Sequence, residues 1–501
     1  MNKKQKTKLS KSEFILIILA LFYLVSRLTN LTLLPIFNDE AMYLNWGRLI
    51  AGDFKNNLWI SLTDGQQPLF IWLVALSYWF GASNWLWMGR IISVMAGLGS
   101  LLSLFLLGKE LFNKRIGFWL ATLYLISPFI LWYDRLTIKD SFLNLLAILV
   151  FYFSVRQAKT NFWRYSLFSG LVLGMALLTK SIAYFFVGLY PLTVFLLISF
   201  LKKKREGKSQ LIKVLAAYIL AGIVQATMYL SPLSQNIGPK NAVFLLSFAE
   251  IFHFPLSLWR NNLYSTLIWW RDYYQFPLLF LGLTGFILLL KNKGKILTFI
   301  LLSWILLPIL FEILTAKIYI PRYFLFTFTS SAILAAYGIE EIIKRLKNKA
   351  LIFSFVFLAL LPSLFLDAQM LFAPLEAKLP QVERWQYING WPSGFGIEKL
   401  VNYLKSSYLA KNPKLLIITE KETLVSSALP LYFKNYPQIE IKREFELEEP
   451  LPQDTSYLKE SDRSVVIVLH HHQEIPNSWQ GKVVALIYRY DPQLKFLVIK
   501  P

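Results

Sequence analysis

The chain has no cysteine, which excludes disulfides, thiolate metal sites and cysteine nucleophiles. That absence does not set the compartment, because extracytoplasmic domains without cysteine are common. Charge is also scarce. Only 16% of the 501 residues are charged, against about 25% in soluble domains. Acids are the scarcer sign, 30 against 52 Lys and Arg. What fills the chain is apolar: 55% hydrophobic and 16% aromatic residues, with a mean hydropathy of +0.47. Such a chain cannot cover its surface with polar side chains, so lipid must solvate much of it. The net charge of +22 lies in short clusters between apolar runs, the pattern of cytoplasmic loops. Nucleic acid is therefore not expected as a partner. No internal repeat or low-complexity segment is present.

The apolar segments run over 14–30, 88–107, 116–132, 141–155, 166–181, 182–200, 211–230, 276–290, 296–315, 323–341 and 350–367. They predict an all-α polytopic bundle of about eleven transmembrane helices. The Lys-rich start (Lys3, Lys4, Lys6, Lys8, Lys11) precedes a run without a small-residue cleavage site, so 14–30 reads as a retained first span. Segment 68–81 is apolar but too short to cross, and reads as a helix lying in the interface. With the N-terminus inside, the inner loops carry Lys109/Lys114/Arg115, Arg156/Lys159/Arg164, Lys202–Arg205 with Lys208, Lys291/Lys293/Lys295 and Lys344/Arg345/Lys347/Lys349. All are basic. The outer side then holds 31–87, 133–140, the turn at Lys180, 231–275, 316–322 and the tail after 368. This divides the chain into a transmembrane domain, 1–368, and an extracytoplasmic domain, 369–501. In the tail, β-like runs at Lys414–Thr419, Ile439–Phe445, Ser464–Leu469, Lys482–Tyr488 and Lys495–Ile499, with helical stretches at 396–408 and 423–434, predict a small α/β domain.

Four clusters on the outer side could carry chemistry. The first is Phe37-Asn38-Asp39-Glu40-Ala41-Met42-Tyr43. A carboxylate there could take a proton from an acceptor hydroxyl. It could equally be a helix start, with Asn38 as the cap and the acids meeting the dipole. The turn Asp64-Gly65-Gln66-Gln67-Pro68-Leu69 in the same loop requires no function. The second is Tyr133-Asp134-Arg135 with Lys139-Asp140, where snorkelling is the plain alternative. The third is Lys180, a lone lysine between two spans with almost no loop, which solvation alone does not account for. The fourth is Lys317-Ile-Tyr319-Ile-Pro321-Arg322-Tyr323. Acids, Arg and Lys converging at one membrane face suit a donor with a phosphate leaving group and an acceptor that needs a base. Trp259, Trp269, Trp270, Tyr273 and Tyr274 read as an interfacial belt, with sugar stacking second. His470-His471-His472 suggests a metal, but successive strand residues alternate faces, so a polar strand end ranks above a metal site.

Taken in order, these pieces resemble the GT-C superfamily of polyprenyl-phosphate-sugar-dependent glycosyltransferases. They are most similar to the bacterial group akin to protein O-mannosyltransferases (family 39) and aminoarabinose transferases. The resemblance rests on Asp39-Glu40-Ala41-x-Tyr43, Asp64-Gly65-x-x-Pro68-Leu69, Arg135 with Asp140, Gly170-x-x-x-Gly174 leading to Leu178-Thr179-Lys180, and Pro321-Arg322-Tyr323, over about residues 14–345. Gly390-Trp391-Pro392-Ser393-Gly394-Phe395-Gly396 also looks like a segment of bacterial members. The resemblance implies that Asp39 is the catalytic base and that Glu40 supports it or binds acceptor. It implies that Arg135, Lys180 and Arg322 neutralise the lipid phosphate, with Asp140 positioning Arg135 or Lys180. Tyr43, Gln67, Lys317, Tyr319 and Tyr323 complete the implied substrate-binding set. Two departures stand out. Aminoarabinose transferases carry an acid–Lys pair where this chain has Gln66-Gln67, which argues against the same sugar or acceptor. The loop at 231–275 is also too short for the folded domain that eukaryotic members insert.

The expectation is an inverting glycosyltransferase of the cell membrane, with a cytoplasmic N-terminus and an extracytoplasmic C-terminal domain. Its partners would be a polyprenyl-phosphate-linked sugar donor, a hydroxyl acceptor on lipid, glycan or protein, and membrane lipid. No cofactor is expected, with a divalent metal left open. A transporter or flippase is the alternative, but transporters place ionisable groups near the midplane, whereas here they sit at span ends. A non-catalytic scaffold would not need the acid, Arg and Lys at every matching site.

Overall fold

All the segments expected to cross the membrane are helical in the computed structural model, which describes residues 10–79, 84–409, 414–447, 449–453, 458, 463–472 and 474–501. Lys3, Lys4, Lys6 and Lys8 lie outside the described residues, as do residues 80 and 81 of the expected interfacial helix. Among the described residues, seven helices are long and apolar enough to cross a membrane: Trp85–Leu111, Lys139–Thr160, Ser181–Phe200, Gly207–Leu230, Leu256–Lys293, Lys295–Thr315 and Lys349–Phe372. An eighth is formed if Lys114–Leu125 and Pro128–Asp134 count as one span bent by 61°. Pro128 sits at the first position of the second half and cannot continue the hydrogen-bond ladder of the first. Lys11–Leu28, Trp163–Leu177 and Phe328–Arg345 are charged or short, so length and composition alone give fewer crossings than the apolar segments suggest. The interfacial segment is an eleven-residue helix, Leu69–Trp79. Residues 256–274, read in the sequence as loop, are helical. Leu256–Lys293 breaks at Gln275 (φ 55°, ψ 166°), two residues before Pro277, whose ring removes a donor and crowds the preceding turn.

The chain is organised in two compact units. The larger comprises Met1–Asn30, Leu58–Phe70 and Arg90–Lys378. Its helices expose large apolar side chains outward, among them Phe22, Ile219, Ile223, Leu267, Leu283, Phe299 and Phe353, as lipid contact requires. Inside, Trp304 stacks on Phe151 at 4.7 Å and 8° and donates its indole N–H to Thr193 at 3.0 Å. The Gly170-x-x-x-Gly174 pattern serves packing. A Cβ at Gly170 would lie 2.5 Å from the Ala217 carbonyl oxygen, and one at Gly174 would lie 2.6 Å from Val224. Only glycine lets Trp163–Leu177 press this closely on Gly207–Ala226.

The smaller unit comprises Leu31–Asn57, Ile71–Gly89 and Leu379–Pro501. Its sheet has strands β1 (Leu415–Glu420), β2 (Ile439–Phe445), β3 (Ser464–Leu469), β4 (Val483–Tyr488) and β5 (Lys495–Ile499), in the order β2-β1-β3-β5-β4. β1 is parallel to β2 and β3; β5 is antiparallel to β3 and β4. Central β1 is buried along its whole length, whereas edge β4 alternates between half-buried and exposed, the difference between a two-faced and a one-faced environment. Leu416, Ile418, Val465, Ile467, Leu497, Ile499 and Trp479 form one core. Helices Ile397–Leu404 and Leu424–Tyr432 bury Leu400, Val401, Leu424, Val425 and Leu429.

Candidate active site

Asp39, Glu40 and Tyr43 belong to the smaller unit, on the helix Asn38–Gly52. The cap is Phe37, in extended conformation, and not Asn38, which is the first helical residue. The buried Glu40 carboxylate accepts the Phe37 backbone N–H at 3.4 Å, satisfying a terminal donor. Asp39 lies in the same first turn and is half-buried. Tyr43 is buried and stacks on Trp46 at 6.0 Å. The Asn38 N–H donates to the Pro392 carbonyl at 2.9 Å, and Phe37 meets Tyr387 edge-on at 4.6 Å.

The remaining expected residues belong to the larger unit. Lys180 Nζ lies 2.6 Å from Asp140 Oδ1, with side chains 21% and 5% exposed respectively. Lys180 has extended backbone between two helices. Asp140 stands in the first turn of Lys139–Thr160, where the helix dipole favours an anion. Lys180 Nζ also sits 4.4 Å from the centre of the Tyr323 ring, a cation–π contact. Burial lowers the Lys180 ammonium below the usual lysine range; Asp140 raises it again, and the Arg322 cation lowers it. Glu312, almost fully buried near the end of Lys295–Thr315, acts on it as well. The Asp64–Leu69 turn frames this cluster. Gln67 Nε2 donates to Ser181 Oγ at 2.6 Å, the Leu69 N–H donates to the Leu178 carbonyl at 3.0 Å, and Lys139 Nζ donates to Gln66 Oε1 at 2.6 Å. Lys240 and Asp64 pair at 2.5 Å.

Arg135 is placed differently. Its Nη1 donates to the carbonyls of Ser26, Arg27 and Thr29 at 3.1, 3.1 and 2.6 Å, and its Nη2 donates to that of Asn30 at 2.8 Å. It caps the C-terminus of Lys11–Leu28. Burial, with Arg90 and Arg27 nearby, lowers it to about 9. Asp140 thus pairs with Lys180, one of the two partners that the resemblance left open. Tyr319 OH shares a hydrogen bond of 2.6 Å with Thr266, and its ring stacks on Trp269 at 4.9 Å. Trp269 is accordingly buried in the packing. Lys317 pairs with Glu250 at 2.9 Å in solvent.

Residues 66–229 match the family model for dolichyl-phosphate-mannose-protein mannosyltransferases. No curated protein is matched in sequence. Among solved structures, ArnT from Cupriavidus metallidurans bound to undecaprenyl phosphate aligns with a TM-score of 0.58 at 12% identity, over 97% of this chain and 97% of that one. The oligosaccharyltransferase AglB from Archaeoglobus fulgidus, in complex with an inhibitory peptide and a dolichol-phosphate, aligns with a TM-score of 0.56 at 15% identity, over 92% of this chain and 69% of that one. The chain shares the fold of ArnT and AglB. The matched segment carries the Gln66–Leu69 half of the turn, Arg135, Asp140 and Lys180, the stretch where the larger unit gathers charge.

Several residues of interest were not singled out by the sequence. Glu312 had a visible signal, an acid inside an apolar helix. Lys139, by contrast, was named beside Asp140 in the second cluster but given no role there. Glu420 and Arg489 in the tail had none. Glu420 is fully buried at the end of β1, and its carboxylate accepts the backbone N–H groups of His470, His471 and His472 at 2.5, 3.0 and 2.7 Å. The His472 ring Nδ1 meets the same carboxylate at 2.6 Å. It is the backbone of the histidine triplet that holds this strand end. Among the described residues, no group of three or more His, Asp or Glu side chains could hold a metal ion.

Proposed function

We propose that the protein transfers a sugar from a polyprenyl-phosphate donor to a hydroxyl of a lipid, glycan or protein, with inversion, at the outer face of a cell membrane. The observation that carries this reading is the Lys180–Asp140 pair, with Arg322 and Tyr323 beside it at the end of apolar helices. A lysine held against a buried carboxylate is suited to a phosphate whose lipid tail cannot leave the bilayer. The polyprenyl phosphates held by ArnT and AglB, proteins of the same fold, support the donor class.

In the proposed step the acceptor oxygen attacks the anomeric carbon. The bond from that carbon to the phosphate oxygen breaks, and polyprenyl phosphate leaves with the electron pair. Asp39 takes the acceptor proton. Lys180 and Arg322 neutralise the leaving phosphate, while Asp140 orients Lys180. Tyr43, Gln67, Lys317, Tyr319 and Tyr323 are assigned to substrate contact, and Arg135 supports the first helix. No step is assigned to a cofactor. The orientation has the N-terminus inside and the tail outside.

The test is turnover of the purified chain in proteoliposomes with synthetic undecaprenyl-phosphate hexoses and pentoses. Asp39→Asn keeps the shape and removes the base, so the rate should fall by about 10²–10⁴ with folded protein unchanged. Full activity in a normally folded Asp39→Asn variant overturns the assignment.

A further inference from the structure

The tail's Gly390–Gly396 loop lies entirely within the smaller unit and meets the start of the Asp39 helix at two backbone points. The Pro392 carbonyl accepts the Asn38 N–H at 2.9 Å. Gly394 lies flush on Ile36: a Cβ at Gly394 would come within 2.6 Å of the Ile36 carbonyl carbon. The loop in turn is gathered by one side chain almost 100 residues away. Arg489 Nε donates to the Phe395 carbonyl at 3.3 Å, and its Nη2 donates to the carbonyls of Gly390, at 3.2 Å, and Ser393. Its Nη1 lies 3.0 Å from His470 Nε2. A guanidinium has only donors, so this ring nitrogen accepts and the His470 proton sits on Nδ1. His470 is fixed by the Glu420 carboxylate, which grips three successive backbone N–H groups. The path runs from Glu420 through the His470 strand end and Arg489 to the loop, and from the loop to the residue before Asp39.

We propose that Arg489 is a positioning residue for Asp39, acting through the Gly390–Gly396 loop, so that the tail domain sets the geometry of acceptor deprotonation. Such a role explains why a guanidinium only 8% exposed is aimed at three carbonyls of one loop. Three donors in a fixed fork hold a loop that a single ammonium could not. It also gives the tail a part in the reaction that needs no substrate contact from the tail. The inference rests on the proposed role of Asp39 as base.

The experiment compares Arg489→Ala, Arg489→Lys, Gly394→Ala, Asp39→Asn and the double variant Asp39→Asn/Arg489→Ala in the full chain, using the donor of highest turnover in the proteoliposome assay. A small displacement of a catalytic group costs on the order of 10²-fold in rate, so kcat should fall about 10²-fold in Arg489→Ala and by less in Arg489→Lys. Binding of undecaprenyl phosphate should not change. The double variant should be no slower than Asp39→Asn alone, because Arg489 acts only through Asp39; independent effects would multiply. Amide exchange over residues 36–42 gives a readout free of turnover. It should be slow in the native chain and faster in Arg489→Lys and Gly394→Ala. Native exchange at the rate of an open loop, or unchanged exchange and kcat in Arg489→Lys, overturns the proposal. Loss of activity in Asp39→Asn with full activity in Arg489→Ala refutes the positioning role alone. Full activity in Asp39→Asn refutes the base itself.

Discussion

Replacing Lys180 by methionine tests the proposed phosphate site most directly, because the side chain keeps its length and apolar stem while losing its charge. In the folded chain Lys180 Nζ makes a 2.6 Å charge-assisted bond to Asp140, whose carboxylate is 5% exposed. Hydrogen bonds to charged groups contribute about 1.5–3 kcal/mol, and a carboxylate left buried without its partner costs more than the bond was worth. Lys180→Met should therefore destabilise the chain by about 3–5 kcal/mol. The double variant Lys180→Met/Asp140→Asn removes the stranded charge and should recover most of that loss. Activity should not recover with it. A donor phosphate met by Lys180 loses a charge-assisted bond worth about 1.5–3 kcal/mol, roughly a 10- to 150-fold fall in kcat/KM for donor. The phosphate is charged before the transition state as well as in it, so KM should rise together with any fall in kcat. The assay is turnover against donor concentration in proteoliposomes, with thermal unfolding measured on the same preparations. A double variant that regains both stability and donor kcat/KM would show that the pair is only structural.

Reporter fusions at positions 206 and 450 should report opposite sides of the membrane; the same side for both overturns the topology and the outer-face site with it. Glu420→Ala should destabilise the tail by about 3 kcal/mol or more, since three backbone N–H donors lose their acceptor at about 1–3 kcal/mol each; an unchanged unfolding temperature would contradict this. Burial, with Arg489 beside it, holds the His470 ring well below the ordinary histidine range. Below about pH 6.5 the unfolded chain binds a proton there that the folded chain does not, so stability should fall by about 1.4 kcal/mol per pH unit on acidification. The drop between pH 6.5 and 5 should shrink in His470→Asn, and an identical drop in both proteins would refute the assignment.

Local periodicity determined much of this protein from the sequence alone. The helices, the five strands, the short helix Leu69–Trp79 and the charged span ends follow from which residues can be buried and at what spacing. The ordered motifs also pointed to the fold shared with ArnT and AglB, because each motif is a short run of adjacent residues. Tertiary structure decided what depends on distant partners. Arg135 and Lys180 look alike in sequence, but Arg135 turns onto the carbonyls ending the first helix whereas Lys180 turns to Asp140. Residues 256–274 carry enough polar and aromatic side chains to read as loop, yet they form helix, where Trp269 packs on Tyr319 and Asn262 bonds the Ile313 and Ala316 carbonyls. Arg489 and Glu420 left no mark in the sequence, because a lone arginine after a strand and a lone glutamate at a strand end have no period. Their role exists only where the sheet brings β1 beside β3 and the chain folds residues 390–396 against Arg489. Backbone propensity and apolar spacing act within a few residues and are legible there, whereas hydrogen bonding of buried charge is settled by whichever carbonyls the fold delivers.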